Sequence, residues 1–130
     1  MPGPARAGAL IYAKDLPRLS HFYRQLLGMD LLLADDEHQV LESADIQLIV
    51  HAIPPAIAAG IAIAEPPAPR EETAMKLFFS VPDLAGAAAT MARLGGRLFE
   101  PAWAGPGFAV RNGCDPEGNV FQLRQWHAAA

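Results

Sequence analysis

Hydrophobic and polar positions along this chain follow one order twice. From Gly8 to Ala13 the residues are apolar, as in a buried strand, and the run ends in Lys14-Asp15-Leu16. Leu19, Phe22, Tyr23 and Leu26 then stand at the i, i+3, i+4, i+7 spacing of one helix face, and Gly28 follows. Sixty-eight residues further on, Lys76 to Val81 leads into Pro82-Asp83-Leu84, the helical spacing returns in Ala87, Thr90, Met91 and Leu94, and Gly96 follows. A strand, a capped amphipathic helix and a glycine stop are thus predicted in duplicate. Asp15 and Asp83 are suited to accept from the unpaired N–H groups of a first helical turn. Pro17 is tolerated there, and Gly28 and Gly96 can take the left-handed conformation that closes a helix. Two copies of so small a unit are expected to be stable by sharing a sheet, with a cleft between them.

Each helix is followed by more strand pattern. In the first copy Leu31-Leu32-Leu33, His38 to Leu41 and Ile46 to His51 are parted by Asp35-Asp36-Glu37 and Ser43-Ala44-Asp45. In the second, Arg97-Leu98-Phe99, Phe108 to Arg111 and Val120 to Gln125 follow, with Asp115-Pro116-Glu117-Gly118 as the turn before the last strand. The reading is an α+β fold of two β-α-β-β-β units, 7–51 and 75–126, within a single domain spanning 1–130. The 52–74 link is expected to hold one helical turn, a short strand near Gly60 to Ala64 and an extended Pro66-Pro67-Ala68-Pro69 connector. From Gly28 to Gln47 is 19 residues and from Gly96 to Gln122 is 26, so the second unit has seven extra. These are assigned to a Gly/Pro loop over 100–107, where Trp103 would serve as a lid or an interface anchor, or would pack on its own loop.

Composition narrows the function. With 130 residues, 52% hydrophobic and 18% charged, the chain can bury a core and stay wet outside. A net charge of −4 supplies no basic stripe for a phosphate backbone, so nucleic acid is not the expected partner. The single Cys114 cannot form an internal disulfide, which points to a reducing cytoplasm. The apolar run before Lys14 is too short for a signal peptide. Pro54, Pro55 and Gly60 interrupt the apolar stretch from Ile46 to Ala64, so no membrane span is expected.

The phrases Ala13-Lys14-Asp15-Leu16, His21-Phe22-Tyr23, Leu26-Leu27-Gly28-Met29 and Asp115-Pro116-Glu117-Gly118-Asn119-Val120-Phe121-Gln122-Leu123, set in paired β-α-β-β-β units, resemble the vicinal oxygen chelate superfamily. This superfamily contains glyoxalase I, extradiol dioxygenases, fosfomycin-resistance enzymes and bleomycin-resistance proteins. The resemblance covers nearly the whole chain. It implies a glyoxalase-like, strongly curved, mostly antiparallel eight-stranded sheet with helices outside and a cleft inside. In metal-dependent members the ligands come from the start of the first strand and the middle of the last strand of each unit, usually as His, Glu or sometimes Gln. The corresponding residues here are Gly8, Gln47, Lys76 and Gln122. Glycine has no donor, an amide oxygen is a weak one and an ammonium repels a cation, so no metal and no other cofactor is predicted.

Strand alternation then assigns Leu10, Tyr12, Gln47, Ile49, His51, Lys76, Phe78, Gln122 and Arg124, with Trp103 above them, to a ligand-binding cleft. Its cations favour a carboxylate, phosphate or enolate. Plainer readings stand beside these. Lys76 can extend into water, the two glutamines can bond each other, His51 can be structural, Tyr12 and Phe78 can fill the core, and Arg111 and Arg124 can be surface charges. His21, His38 and His127 have no partner at ligand spacing. Two functional classes follow: a metal-free binding protein of the bleomycin-resistance type, or a lyase or dioxygenase with an atypical divalent metal site or with His51 and Tyr12 as acid and base. The apolar Ile53 to Ala64 segment, Trp103 and a tail-borne Trp126 suggest a homodimer.

Overall fold

The computed structural model describes residues 4–127, so the outermost residues of the 1–130 domain assignment lie outside it. The chain divides into two compact units between Ala62 and Ile63. In the first, β1 (Gly8–Ala13), α1 (Leu16–Leu27), β2 (Asp30–Ala34), β3 (His38–Glu42), β4 (Gln47–Ala52) and α2 (Pro55–Ala58) follow in order. The second holds β5 (Phe78–Ser80), α3 (Leu84–Arg93), β6 (Arg97–Gly105), β7 (Phe108–Cys114) and β8 (Val120–Trp126). The eight predicted strands are all present and form two four-stranded sheets, ordered β1-β4-β3-β2 and β5-β8-β7-β6. In each, the first strand runs parallel to the last and the remaining pairs are antiparallel. Among the described residues no helix is long and apolar enough to cross a membrane.

Each unit buries one face of its sheet under its helix. In the first unit Leu19, Phe22 and Tyr23 of α1 and Leu41, Leu48 and Val50 of the sheet are buried, and Ser20 Oγ donates to Gln39 Oε1 at 2.6 Å. In the second, Met91 of α3 is fully buried with Phe121 and Leu123, and the Phe79 and Phe121 rings meet edge-on at 5.8 Å. Gly113 is required where β7 meets β6, because a Cβ there would lie 2.8 Å from the Arg97 carbonyl oxygen. The two aspartates cap as expected. Asp15 accepts from Arg18 N at 3.2 Å, and Asp83 from Gly86 N at 2.9 Å and Ala85 N at 3.3 Å.

Several boundaries differ from the sequence reading. Gly28 closes α1 with φ 62°, but at the end of α3 it is Gly95, with φ 93°, that turns, while the Gly96 N–H bonds the Met91 carbonyl at 2.8 Å. No strand forms over 60–64. There the Gly60 and Ile61 N–H groups are already spent on the carbonyls of Ile57 and Ala58, and the Ile61 carbonyl accepts from Lys14 Nζ. β5 begins at Phe78 rather than Lys76, and its ladder to β8 opens with the Gln122 N–H donating to the Leu77 carbonyl at 2.9 Å. The seven extra residues do not make a loop. They lengthen the β6–β7 hairpin, which turns through Pro106 and Gly107 (φ 83°) and absorbs Pro101 in an irregularity between Leu98 and Ala102. Trp103 therefore lies on β6 opposite Val110, and Trp126 is the last residue of β8, not part of a tail.

The connector before β5 docks on the last turn of the sheet. Arg70 N donates to the Gly118 carbonyl at 2.8 Å, and the buried Asp115 carboxylate accepts from Glu117 N, Asn119 N and Asn119 Nδ2. Gly118 has φ 88°, and a Cβ there would meet the Ala68 carbonyl oxygen at 2.3 Å, whereas Gly28 faces open space. Gly28→Ala is expected to cost about 1–2 kcal/mol for its left-handed backbone alone. Gly118→Ala carries a backbone clash as well and should cost at least about 1 kcal/mol more, read as the difference in urea midpoints at unchanged slope.

Candidate functional sites on the two sheet faces

In each unit the sheet face turned away from the helix carries the chemistry. On the first, the rows across the strands are set by register. Tyr12 stands opposite His51, which stands opposite His38; Leu10 stands opposite Ile49, and Gly8 opposite Gln47. Tyr12 and Leu10 are exposed, 60% and 47% respectively. The Tyr12 and His51 rings lie 5.5 Å apart, and those of His51 and His38 lie 4.5 Å apart edge-on. His38, which spacing alone left without a partner, is thus brought against His51 by the β3–β4 pairing.

On the second face Phe78 is opposite Gln122, Gln122 is opposite Asn112, and Arg124 lies between Ser80 and Val110. The Arg124 guanidinium carbon sits 3.8 Å from the centre of the Phe78 ring and 4.8 Å from that of Phe108. Phe108 in turn packs on Trp126 at 4.8 Å, and Trp126 Nε1 donates to Ser80 Oγ at 3.1 Å. Contact with two aromatic rings favours the cation at this place. Gly105 lies directly opposite Phe108, and a Cβ there would fall 2.2 Å from the ring. Arg124 Nε and Asn112 Oδ1 are buried with no hydrogen-bond partner among the described residues. Arg111 has a structural task instead: its Nε donates to the Phe99 carbonyl at 2.7 Å, at the irregularity in β6.

Of the sequence-predicted site residues, Leu10, Tyr12, Gln47, Ile49 and His51 share the first face, and Phe78, Gln122, Arg124 and Trp103 share the second. Lys76 precedes β5 and is exposed. Phe108, Asn112, Trp126 and His38 were missed as members. Alternation along β7 and β8 could have found the first three, but His38 needed the β3–β4 register.

Register also corrects the equivalence between the halves. With Asp15 matched to Asp83, Leu10 corresponds to Phe78. Their partners are Ile49 and Gln122, so Gln122 is the counterpart of Ile49 and Val120 that of Gln47. A family-type metal finds still fewer donors in Gly8, Gln47, Lys76 and Val120, a set with one amide and one cation, and these residues do not fit a divalent ion. Among the described residues no group of three or more His, Cys, Asp or Glu side chains is arranged to hold a metal.

The sequence model of the glyoxalase-like domain family matches residues 9–124. The chain belongs to that family, and with it to the vicinal oxygen chelate superfamily. Solved structures agree on the fold. A bleomycin resistance determinant encoded on transposon Tn5 is 21% identical, with 95% of this chain and 98% of that one covered and a TM-score of 0.61. The fosfomycin resistance protein FosX from Mesorhizobium loti is 13% identical, with 96% and 93% covered and a TM-score of 0.63. A glyoxalase/bleomycin resistance protein/dioxygenase family enzyme from Burkholderia phytofirmans PsJN is 17% identical, with 94% and 98% covered and a TM-score of 0.62. None of the curated proteins matches the chain. At such identities the likeness is one of fold, which carries many chemistries.

Cys114, the one thiol, ends β7 fully buried, and burial pushes its pKa up. It is therefore expected to resist a thiol reagent in the folded protein and to react stoichiometrically once the chain is unfolded in guanidinium. Rapid labelling of the native state would contradict this.

Proposed function

We propose that this protein binds a small, planar, acidic molecule on the face of its second sheet, with Arg124 as the anion-binding group and without a resident metal. The observation that carries the reading is the guanidinium held between Phe78 and Phe108 with a buried, unpartnered Nε. A carboxylate or enolate would pair with the guanidinium charge, and the exposed Phe78, Trp103 and Trp126 offer apolar surface to a ring. The donor chemistry at Gly8, Gln47, Lys76 and Val120 supports the metal-free form. A lyase- or dioxygenase-like activity through His51 and Tyr12 ranks second. The Tyr12 hydroxyl makes no hydrogen bond among the described residues, so no neighbour orients it for proton transfer.

Benzoate and benzamide, equal in shape and different in charge, separate the cases by thermal shift. Benzoate is expected to raise the melting temperature and benzamide to do so weakly. Arg124→Gln should lower benzoate affinity about 10- to 100-fold, the worth of a charge-assisted hydrogen bond. Equal stabilisation by the two probes would remove the guanidinium from the account.

We further propose a homodimer. Leu32, Leu33 and Ile57, each more than half exposed, supply apolar surface on the first unit. Light scattering should return about twice the chain mass of 13.9 kDa. A mass equal to one chain at micromolar concentration would refute it.

A further inference from the structure

The first sheet carries a second constellation, independent of Arg124. His38 and His51 are directly opposed across β3 and β4, on the face away from α1, with ring centroids 4.5 Å apart and planes at 76°. One nitrogen of each ring is committed. His51 Nδ1 lies 2.8 Å from the Ala52 carbonyl oxygen, and His38 Nδ1 lies 3.2 Å from Asp35 Oδ1. A carbonyl only accepts, so the proton of neutral His51 is on Nδ1. Asp35 Oδ1 also accepts from the backbone N–H groups of Glu37 and His38 at 2.8 and 2.7 Å, which holds the carboxyl group against His38 Nδ1 as that ring's outer partner. Both Nε2 atoms are left with lone pairs, and neither has a hydrogen bond among the described residues. The His38 side chain is 35% exposed, so the pair is reachable from solvent.

We propose that His38 and His51 form a two-imidazole site, through their Nε2 atoms, for a borderline divalent transition cation of the Ni2+, Cu2+ or Zn2+ class. Metal-bound histidines characteristically donate their other N–H to a carboxylate or a backbone carbonyl, and here both outer partners stand in place. Imidazole nitrogen suits these ions and does not suit Mg2+ or Ca2+. Opposed residues of an antiparallel pair have Cβ atoms about 4.5–5.5 Å apart, a span that two inward-turned imidazoles can close on one ion. With two protein ligands the ion is exchangeable, and its other positions belong to water or to an acidic molecule. Within its own unit the site lies at the opposite end of the β1–β4 ladder from Gly8 and Gln47, so it uses neither of those two positions.

Titration calorimetry of untagged protein with NiCl2, CuSO4 and ZnCl2 is expected to give one ion per chain, with no heat from MgCl2. His38→Gln and His51→Gln should each lower the affinity at least about tenfold, Asp35→Asn by about tenfold through the lost outer partner, and His21→Gln not at all. Nitrogen-15 spectra of the native protein keep the test independent of variant folding, because metal must shift the Nε2 signals of His38 and His51 before those of His21 and His127. No heat at millimolar metal, or unchanged affinity in both single variants, or shifts confined to other histidines, would overturn the proposal.

Discussion

The parallel ladder between the first and last strand of each unit is the contact on which both candidate sites depend. β1 and β4 are separated in sequence by a helix and two strands, as are β5 and β8, so the ladder forms only when the whole unit has folded back on itself. Its register places Tyr12 beside His51 and Ser80 beside Arg124. Because side chains alternate with period two, a slip of one residue would send His51 and Arg124 towards the helices and bring Val50 and Leu123 out to water. Burial of Leu48 and Val50 under α1, and of Phe121 and Leu123 in the second unit, opposes that slip by about 1.5–3 kcal/mol for each side chain kept from solvent. The packing of the helix thus specifies the chemistry on the opposite face.

Two copies of one scaffold have taken different chemistries at the same point. His51 and Arg124 are equivalent, each opposite the fourth residue after the matched pair Gly8 and Lys76. In the first unit the cross-strand neighbour is another imidazole, which makes a pair able to share a cation or move a proton. In the second, the longer β6–β7 hairpin brings Phe108 and Trp126 alongside, which makes an aromatic clamp on a permanent cation. The hairpin's length and its irregularity at Pro101 are therefore part of the site. Gly105 is glycine because the Phe108 ring needs its space.

At the family's ligand positions the donor chemistry of this chain does not fit a divalent ion. Divalent ions are held by anionic or strongly basic neutral ligands, and Gly8, Gln47, Lys76 and Val120 supply none of the former. A guanidinium, by contrast, keeps its charge at every physiological pH and recognises oxyanions without a metal to polarise them. The proposal that this chain binds an acidic small molecule rests on Arg124 and its aromatic neighbours.

The repeat of strand, Asp-capped helix and glycine was legible in the chain because each signal is local: an apolar run, a helical spacing, a side-chain cap and a residue free to turn. The eight strands of the two units and the helix-facing core positions followed from those signals alone. So did the placement of Tyr12, His51, Phe78 and Arg124 on the faces away from the helices, since parity along a strand is also local. What pairing decides was not legible. The two-residue offset between Gln47 and Gln122, the entry of Trp103 into β6, the meeting of His38 with His51 and the clamp of Phe108 on Arg124 all depend on which residue stands opposite which. Register between strands distant in sequence is chosen by packing of the completed unit, and no short window of residues contains it.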